Sequence, residues 1–442
     1  GKSYLLDNIF FHHLLDNGVD ADHIIRFAFD SADDLIGEKT AHHEKAVSHW
    51  QYEVADSLKD ALTGVDFVVI SILPGTFEEM KSDVHAPERV GVYQSVGDTA
   101  GPGGLMRALR TIPMFVEIAS AIRDYAPNAW VINYTNPMTL CMATLYDVFP
   151  DIKAFGCCHE VFGTQKLLAA MLDDMCGIKD VPRQDIRVNV QGINHFTWFS
   201  SASYKGMDLF PVYREFSEKY HDSGFTKGKD ANWMNDFFQC SHKVKFDLFR
   251  RYGKIAAAGD RHLAEFMPPW YLKDPETVKS WGFGLTPVSW RIEDLEKRLA
   301  RRARLLNGEE DVKFEATGEE GHLMMKALLG LGDMVTNVNI PNRGQIPNLP
   351  LGEVVETNAL FRRDQISTVF AGNMDSDILG LTMRHVNNHQ MILRAAQTCD
   401  RKLAFAAFMN DPQMGKVDVN DGQALFDDML LAQKKYLPKE WW

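Results

Sequence analysis

The stretch Phe155-Gly-Cys-Cys-His-Glu-Val-Phe-Gly163 decides how the rest of the chain is read. A short apolar run precedes it (residues 152–155), and residues 165–175 carry apolar positions at helical spacing. Such a junction puts Cys157, Cys158 and His159 at a strand exit beside a helix N-terminus, where the helix field favours thiolate and holds anions. A second segment, Val188-Asn-Val-Gln-Gly-Ile-Asn-His195, has the same form: an alternating strand ending in a polar turn with a histidine. A soft thiolate and an imidazole presented from two strand ends can hold a divalent metal and leave positions open for substrate. A buried structural cysteine and a hydrogen-bonded core histidine would leave the same two signatures, because free cysteine is commonly buried.

Upstream of that junction, residues 1–150 alternate between helix and strand. Helical spacing covers residues 3–15, 57–62 and 105–126, and strand patterns cover 24–29, 66–73 and 129–133. Unalternating apolar strands separated by helices indicate a parallel sheet covered on both faces. Ligands of such sheets bind beyond the strand C-terminal ends, which is where Asp30, Ser71, Asn133 and Cys158 fall. Asp30, after the second strand, suits the two hydroxyls of an adenosine ribose as well as it suits an ordinary turn. Ser71 and Asn133 join it as cofactor-facing candidates. A G-x-G-x-x-G loop for a pyrophosphate is absent. The sequence opens inside what reads as the first helix, so the first strand and its glycine-rich loop are expected to be missing, with Gly1 as that loop's last residue.

The loop Gly97-Asp-Thr-Ala-Gly-Pro-Gly-Gly104 holds Asp98 and Thr99 among more special-geometry positions than a plain turn requires. In Asn133-Tyr-Thr-Asn-Pro-Met138, Asn136 precedes proline and is therefore extended, with its amide free to bridge ligands. Ile255-Ala-Ala-Ala-Gly-Asp-Arg-His-Leu-Ala-Glu265 delivers Asp260, Arg261 and His262 together: a general base, an anion clamp and a proton relay, or else an exposed salt-bridging loop. The basic run at 297–304 lies on a helix that begins with acids, the order that complements the helix dipole. An Asn- and Pro-rich segment, residues 336–350, leads into a strand at 353–356 and is expected to pack over the site or against a neighbouring subunit. Residues 391–409 and 422–436 read as core helices, and Trp441 and Trp442 as exposed.

At 442 residues the chain exceeds one ordinary core, so two packed domains are expected, residues 1–195 and 196–442. No run approaches the roughly 20 apolar residues of a membrane span, and nothing resembles a signal peptide. Six cysteines in a chain this long make no disulfide scaffold, which suits a reducing cytoplasm. A formal charge of −13 argues against nucleic acid, whose phosphates need a basic face.

Five motifs taken in order resemble glycoside hydrolase family 4, the NAD- and divalent-metal-dependent glycosidases that depart from hydrolysis by paired carboxylates. They are Gly97-Asp-Thr-Ala-Gly-Pro-Gly-Gly104, Asn133-Tyr-Thr-Asn-Pro137, Gly156-Cys-Cys-His159, Gly192-Ile-Asn-His195 and Asn342-Arg-Gly-Gln-Ile-Pro-Asn-Leu-Pro350. The resemblance runs from residue 1 to about residue 436. Ser71-Ile-Leu-Pro-Gly75, Tyr93-Gln-Ser-Val-Gly-Asp98, the stretch from Gly156 to Gln165 and Ala258-Gly-Asp-Arg-His-Leu-Ala-Glu-Phe266 look most like the α-galacturonidase subgroup.

The resemblance implies an α/β fold. A Rossmann-like doubly wound parallel sheet, similar to that of lactate and malate dehydrogenases, is followed by an α+β, mostly helical substrate and oligomerisation domain. It implies NAD and Mn²⁺ as cofactors, a small uronic-acid glycoside as substrate, and a homodimer or homotetramer. In the family, NAD⁺ takes hydride from C3, a base removes the acidified C2 proton, the aglycone leaves by elimination, water adds at C1 and the hydride returns. Residue by residue, Cys158 and His195 match the metal ligands and His159 the proton donor to the leaving group. Asp260 matches the base at C2, with His262 in reserve. Asp98, Thr99, Asn136 and Asn194 match positions near substrate and metal, Asp98 among the catalytic ones. A uronate carboxylate calls for a fork donor, and the candidates are Arg261, Arg110 and Arg107, in that order. A metal-free NAD-dependent 2-hydroxy acid dehydrogenase and a non-catalytic sugar- or NAD-binding protein are the rival readings.

Overall fold

The computed structural model describes residues 55–226, 238–310 and 320–442, with the backbone of two short paired strands, β1 (Phe27–Ala28) and β2 (Gln51–Tyr52). Asp30 and the helix expected at residues 3–15 lie outside the described residues. In chain order there follow α1 (Leu58–Leu62), β3 (Phe67–Ile70), α2 (Phe77–His85), α3 (Gly101–Tyr125), β4 (Trp130–Asn133), α4 (Met138–Val148), β5 (Lys153–Gly156) and α5 (Glu160–Cys176). Next come β6 (Ile186–Ile193), β7 (Phe196–Tyr204), β8 (Met207–Asp208), α6 (Phe210–Tyr220), α7 (Lys243–Tyr252), β9 (Ile255–Ala256), α8 (Asp260–Phe266), α9 (Pro275–Ser280) and α10 (Val288–Leu306). The rest comprises α11 (Gly321–Leu328), β10 (Met334–Pro341), β11 (Val354–Arg362), β12 (Gln365–Thr368), α12 (Ser376–Thr398), α13 (Arg401–Asn410) and α14 (Val419–Ala432).

Local chemistry sets the helix ends. Ser57 caps α1 by accepting the Asp60 N–H, and Thr76 and Glu79 close a capping box on α2. Strands β3, β4 and β5 pair in parallel. One face packs Val68, Ile70, Val131 and Ala154 against Ile118, Ile122, Met142 and Leu145. The other packs Val69, Ile132 and Phe155 against Met324, Ala327 and Leu328. With both faces covered, polar alternation would bury unpaired groups, which is why these strands read as continuous apolar runs.

The sheet is not parallel throughout. β10 joins β5 antiparallel through Asn339 and Gly156, and β11 and β12 continue antiparallel, giving the order β12-β11-β10-β5-β4-β3. Gly156 permits this approach, since a Cβ there would run into Met138 Sδ and the Asn339 side chain. The first sheet therefore draws strands from both sides of residue 195. A second sheet is built on the β6–β7 hairpin, with β8 and β9 both on β7.

Two expectations about surfaces change. The Asn-rich segment packs into the chain's own core: the Asn342 amide donates to the carbonyls of Ile346, Leu349 and Pro350 (2.9, 2.9 and 3.1 Å), and Ile346 and Leu349 join the cluster around Phe196 and Phe266. Trp441 is only 3% exposed, in the cluster of Leu109, Phe408, Phe426 and Met429, whereas Trp442 does face solvent. Among the described residues no helix is long and apolar enough to cross a membrane.

Candidate active site

His195 comes to the site on the tip of a hairpin. Ile193 pairs with Phe196, so Asn194 and His195 form a two-residue turn. His195 has φ +65°, a left-handed conformation that costs a non-glycine residue roughly 1–2 kcal/mol. Three positions earlier Gly192 has φ +134°, and a Cβ there would strike the Phe196 carbonyl. The turn thus aims a buried imidazole inward instead of leaving it at a surface loop.

The hydrogen bonds fix that ring. Thr99 Oγ1 donates to Asp98 Oδ1 at 2.7 Å and lies 3.1 Å from His195 Nδ1. With its own proton committed, the hydroxyl accepts from Nδ1–H, which puts the ring's lone pair on Nε2. The His262 ring lies 3.8 Å from that of His195, centroid to centroid, and Asp98, His195 and His262 offer ligand atoms all within 4.8 Å of one another. Burial resists ionisation of Asp98, but Arg107, then His195 and His262, hold its carboxyl well below the usual range.

Glu160, at the start of α5, ties the histidines together. Its carboxylate accepts the Gly259 N–H at 2.6 Å and lies 3.6 Å from His262 Nε2 and 3.9 Å from His159 Nε2. Burial opposes its charge, yet His262, His159, His195 and the Gly259 bond bring it down to about 2. Burial lowers His262, against the raising pull of Glu160 and Asp98, so the free imidazole is neutral. His159 caps the same helix with its side chain 46% exposed, open to an incoming group.

Cys158 lies against the Asn194 side chain, one residue from His195, outside the three-way group. The helix field does not make it a thiolate here: burial, then Glu356 and Glu160, push the thiol well above its ordinary value. Fully buried Glu356 on β11 links both halves, accepting from Asn194 Nδ2 at 3.2 Å and from Asn337 Nδ2 at 2.7 Å, while Asn337 also donates to the Cys158 carbonyl at 3.3 Å. Burial raises Glu356 to about 7.

Three expected residues are placed elsewhere. Asp260 is buried with its oxygens accepting the Val244 and Lys245 N–H groups (3.2 and 3.3 Å), capping α7, and it groups with Cys240 and His242. Residues two apart on a helix face different sides, so α8 brings His262, and not Asp260, to His195. Arg110 is fully buried, with Nη1 and Nη2 on Asp83 (3.1 and 2.6 Å), Nη1 also on Gln433 and Nε on the Pro74 carbonyl, so its fork is occupied. Asn133 turns its amide onto the backbone of Thr135, shaping its own loop. Ser71 stays half-buried just past β3.

The remaining site atoms look for partners. Asn136 Oδ1, Asn194 Oδ1, His262 Nδ1, Arg261 Nε, Arg291 Nε and Glu265 Oε2 are buried and bond to nothing. Each such atom costs roughly 1–3 kcal/mol unless a ligand meets it. Glu160, Glu356, Glu265 and Arg291 were missed in the sequence. Glu160 and Glu356 left a faint trace, as acids next to apolar runs.

The sequence matches the profile described as Family 4 glycosyl hydrolase over residues 29–174 and that of the Family 4 glycosyl hydrolase C-terminal domain over residues 190–414. The chain belongs to glycoside hydrolase family 4. A family member from Thermoanaerobacterium saccharolyticum named alpha-galacturonidase is 58% identical over 412 residues, 92% of this chain and 88% of its own. The solved structure of lplD from Bacillus subtilis superposes with TM-score 0.83 at 53% identity, covering 86% of this chain and 87% of that one. A 6-phospho-alpha-glucosidase from gut microorganisms, solved with NAD and Mn²⁺, shares the fold with TM-score 0.75 at 19% identity, covering 89% and 87%.

The donor set fits a divalent ion: the His195 imidazole with its lone pair on Nε2 and a carboxylate held ionised, with His262 beside them and the Cys158 thiol against the neighbouring Asn194. For a dinucleotide, the strand ends of β3 and β4 are in place, while Asp30 lies outside the described residues.

Proposed function

We propose that the chain is an α-galacturonidase that uses NAD⁺ and Mn²⁺. The observation that carries this is the convergence of Asp98, His195 and His262 within 4.8 Å, rimmed by buried polar atoms without protein partners. The uronide is supported by the relative named alpha-galacturonidase at 58% identity. When bound, NAD⁺ supplies a two-electron acceptor for the C3 hydrogen and the metal a Lewis acid at the C2 and C3 oxygens.

His195 would hold the ion through Nε2, with Asp98 and Cys158 flanking it. Thr99 keeps the tautomer that puts the lone pair on Nε2. Thiolate is not the ligand that softness rules select for manganese, so Mn²⁺ rests on the family likeness. His262 takes the C2 proton on Nδ1, which is buried and free of protein bonds, while Nε2 faces Glu160, whose charge stabilises the imidazolium. The half-exposed His159 hands a proton to the departing aglycone oxygen. Water then adds at C1 and gives its proton to His159, C2 takes a proton from His262 once that histidine has exchanged with solvent, and C3 would regain the hydride it gave up. A metal-bound thiolate is open to oxidation, which suits a reducing cytoplasm.

The test is turnover of p-nitrophenyl α-galacturonide, α-galactoside and α-glucuronide by full-length protein with NAD⁺, Mn²⁺ and reductant, using C2-deuterated substrate. Deuterium should be lost from C2 during cleavage, and a chelator should abolish turnover until Mn²⁺ is restored. Cleavage that retains deuterium would sink the elimination route.

A further inference from the structure

Arg291, on the first turn of α10, was not singled out by any motif, yet its surroundings set it apart. Its guanidinium and that of Arg261 both lie over the Phe238 ring, at 5.9 and 4.7 Å from the centroid. In both arginines Nε is sealed from solvent and has no partner. Arg261 is anchored by Nη2 on the Ser95 carbonyl and the Thr286 hydroxyl, and its backbone carbonyl accepts the Ser95 hydroxyl at 2.5 Å. That anchoring holds the group while leaving its Nε edge unsatisfied.

The local charge is lopsided. After burial, Arg291 is the strongest influence on Arg261, pushing it down to about 10. Arg107 and Arg298 likewise lower Arg291, beyond the effect of burial itself. Facing these cations is Asp98, which acts on Arg107, Arg261 and Arg291 alike. Arg298 is balanced by Asp294 at 3.0 Å. Glu265, whose Oε1 takes the Val96 and Gly97 N–H groups, is raised to about 8 by burial and adds no charge at neutral pH. Packing like-charged guanidiniums together out of water is unfavourable unless an anion joins them. Arginine forks match a planar carboxylate in two-point geometry.

We propose that Arg291 and Arg261, steadied on Phe238 beside Asp98, form the seat of the substrate's C5 carboxylate, so that Arg291 selects uronides over neutral hexosides. This rests on the galacturonidase reading above. Three cations around one ionised carboxylate leave a surplus of positive charge for an anionic substrate group, and the planar fork, more than the charge, favours a carboxylate.

The experiment compares full-length wild type, Arg291→Met and Arg291→Lys, loaded with NAD⁺ and Mn²⁺, on p-nitrophenyl α-galacturonide and α-galactoside. Arg291→Met should lower kcat/KM about 100-fold more for the galacturonide than for the galactoside, chiefly through KM. Arg291→Lys should fall between, because it keeps the charge and loses the fork. If wild type prefers the galacturonide but Arg291→Met harms both sugars equally, the seat is overturned and the galacturonidase reading stands. If wild type shows no preference for the galacturonide, that reading fails and the seat goes with it. Inhibition of the wild type by galacturonate, galactose and galactose 6-phosphate needs no folded variant. Galacturonate must bind best, and a stronger 6-phosphate overturns the proposal.

Discussion

The N-terminal end of helix α8 contributes one side chain to each of two groups of metal-capable residues, and the groups differ in how much they leave undone. On one side Asp98, His195 and His262 converge; on the other, Cys240, His242 and Asp260 do. By residue type the second group is the better metal site, with a thiol, an imidazole and a carboxylate. Its atoms are nonetheless engaged: Asp260 caps α7, and His242 Nδ1 lies 3.5 Å from Cys240 Sγ and 3.4 Å from the Lys245 ammonium, a buried cation that already offsets the acid. Its unpartnered neighbour is the neutral Tyr213 hydroxyl. The first group is rimmed by carbonyl, imidazole and guanidinium atoms with no partner at all. Unmet hydrogen bonds separate the two groups where ligand types alone do not, and the proposed function rests on the first.

Removing one histidine from each group separates them most sharply. His195→Ala should lower metal-dependent turnover about 10³-fold, the loss of several kcal/mol of Lewis-acid stabilisation, whereas His242→Ala should change it less than about threefold. Comparable losses from both would break the contrast. Next comes a closed carboxylate read by stability. Burial raises Asp411, which accepts the Gly101 and Gln413 N–H groups, to about 6. A carboxyl raised in the folded state contributes fully below its unfolded value near 3.8, and that contribution is lost as pH rises through 6. Denaturant unfolding from pH 4 to 7 should therefore show wild type losing up to about 3 kcal/mol relative to Asp411→Asn; parallel curves would refute it.

A smaller effect is expected at Thr99. Thr99→Val removes the acceptor that sets the His195 tautomer, and Mn²⁺ affinity should fall about 10–100-fold by titration, as for other groups that orient a metal ligand. An unchanged affinity would mean the ring is held by packing alone. The smallest concerns the cap. Asp260→Asn should lower unfolding free energy by about 1 kcal/mol, with turnover within about threefold of wild type. Collapse of C2 deuterium exchange at full stability would restore Asp260 as the base.

The parallel core was legible because Phe67–Ile70, Trp130–Asn133 and Lys153–Gly156 are covered on both faces and so carry the unalternating signature. The antiparallel extension was not, since the Asn339–Gly156 pairing joins residues far apart in sequence and leaves no local trace. Motif order pointed to His195, Asp98, Thr99 and His262, which the fold brings together from separate elements. It set Asp260 with them, whereas the fold places that carboxylate on α7, because a Gly-Asp-Arg-His run does not say which side of a short helix each residue faces. Arg110 failed for a related reason: its partner Asp83 sits on α2, with no local cue that would claim the guanidinium. At Cys158 the helix field read from the sequence is outweighed by burial and two neighbouring acids, which no local pattern records.

The hairpin that carries His195 has a further consequence for how this enzyme can drift. Side chains on a strand swap faces at each step, so lengthening the turn by one residue would swing the imidazole out toward the opposite side of the ribbon. Most surface connections absorb insertions with little harm. In this one, two residues long and held at φ +65°, the length of the turn decides where the imidazole points, so an insertion here should cost far more than at an ordinary surface loop.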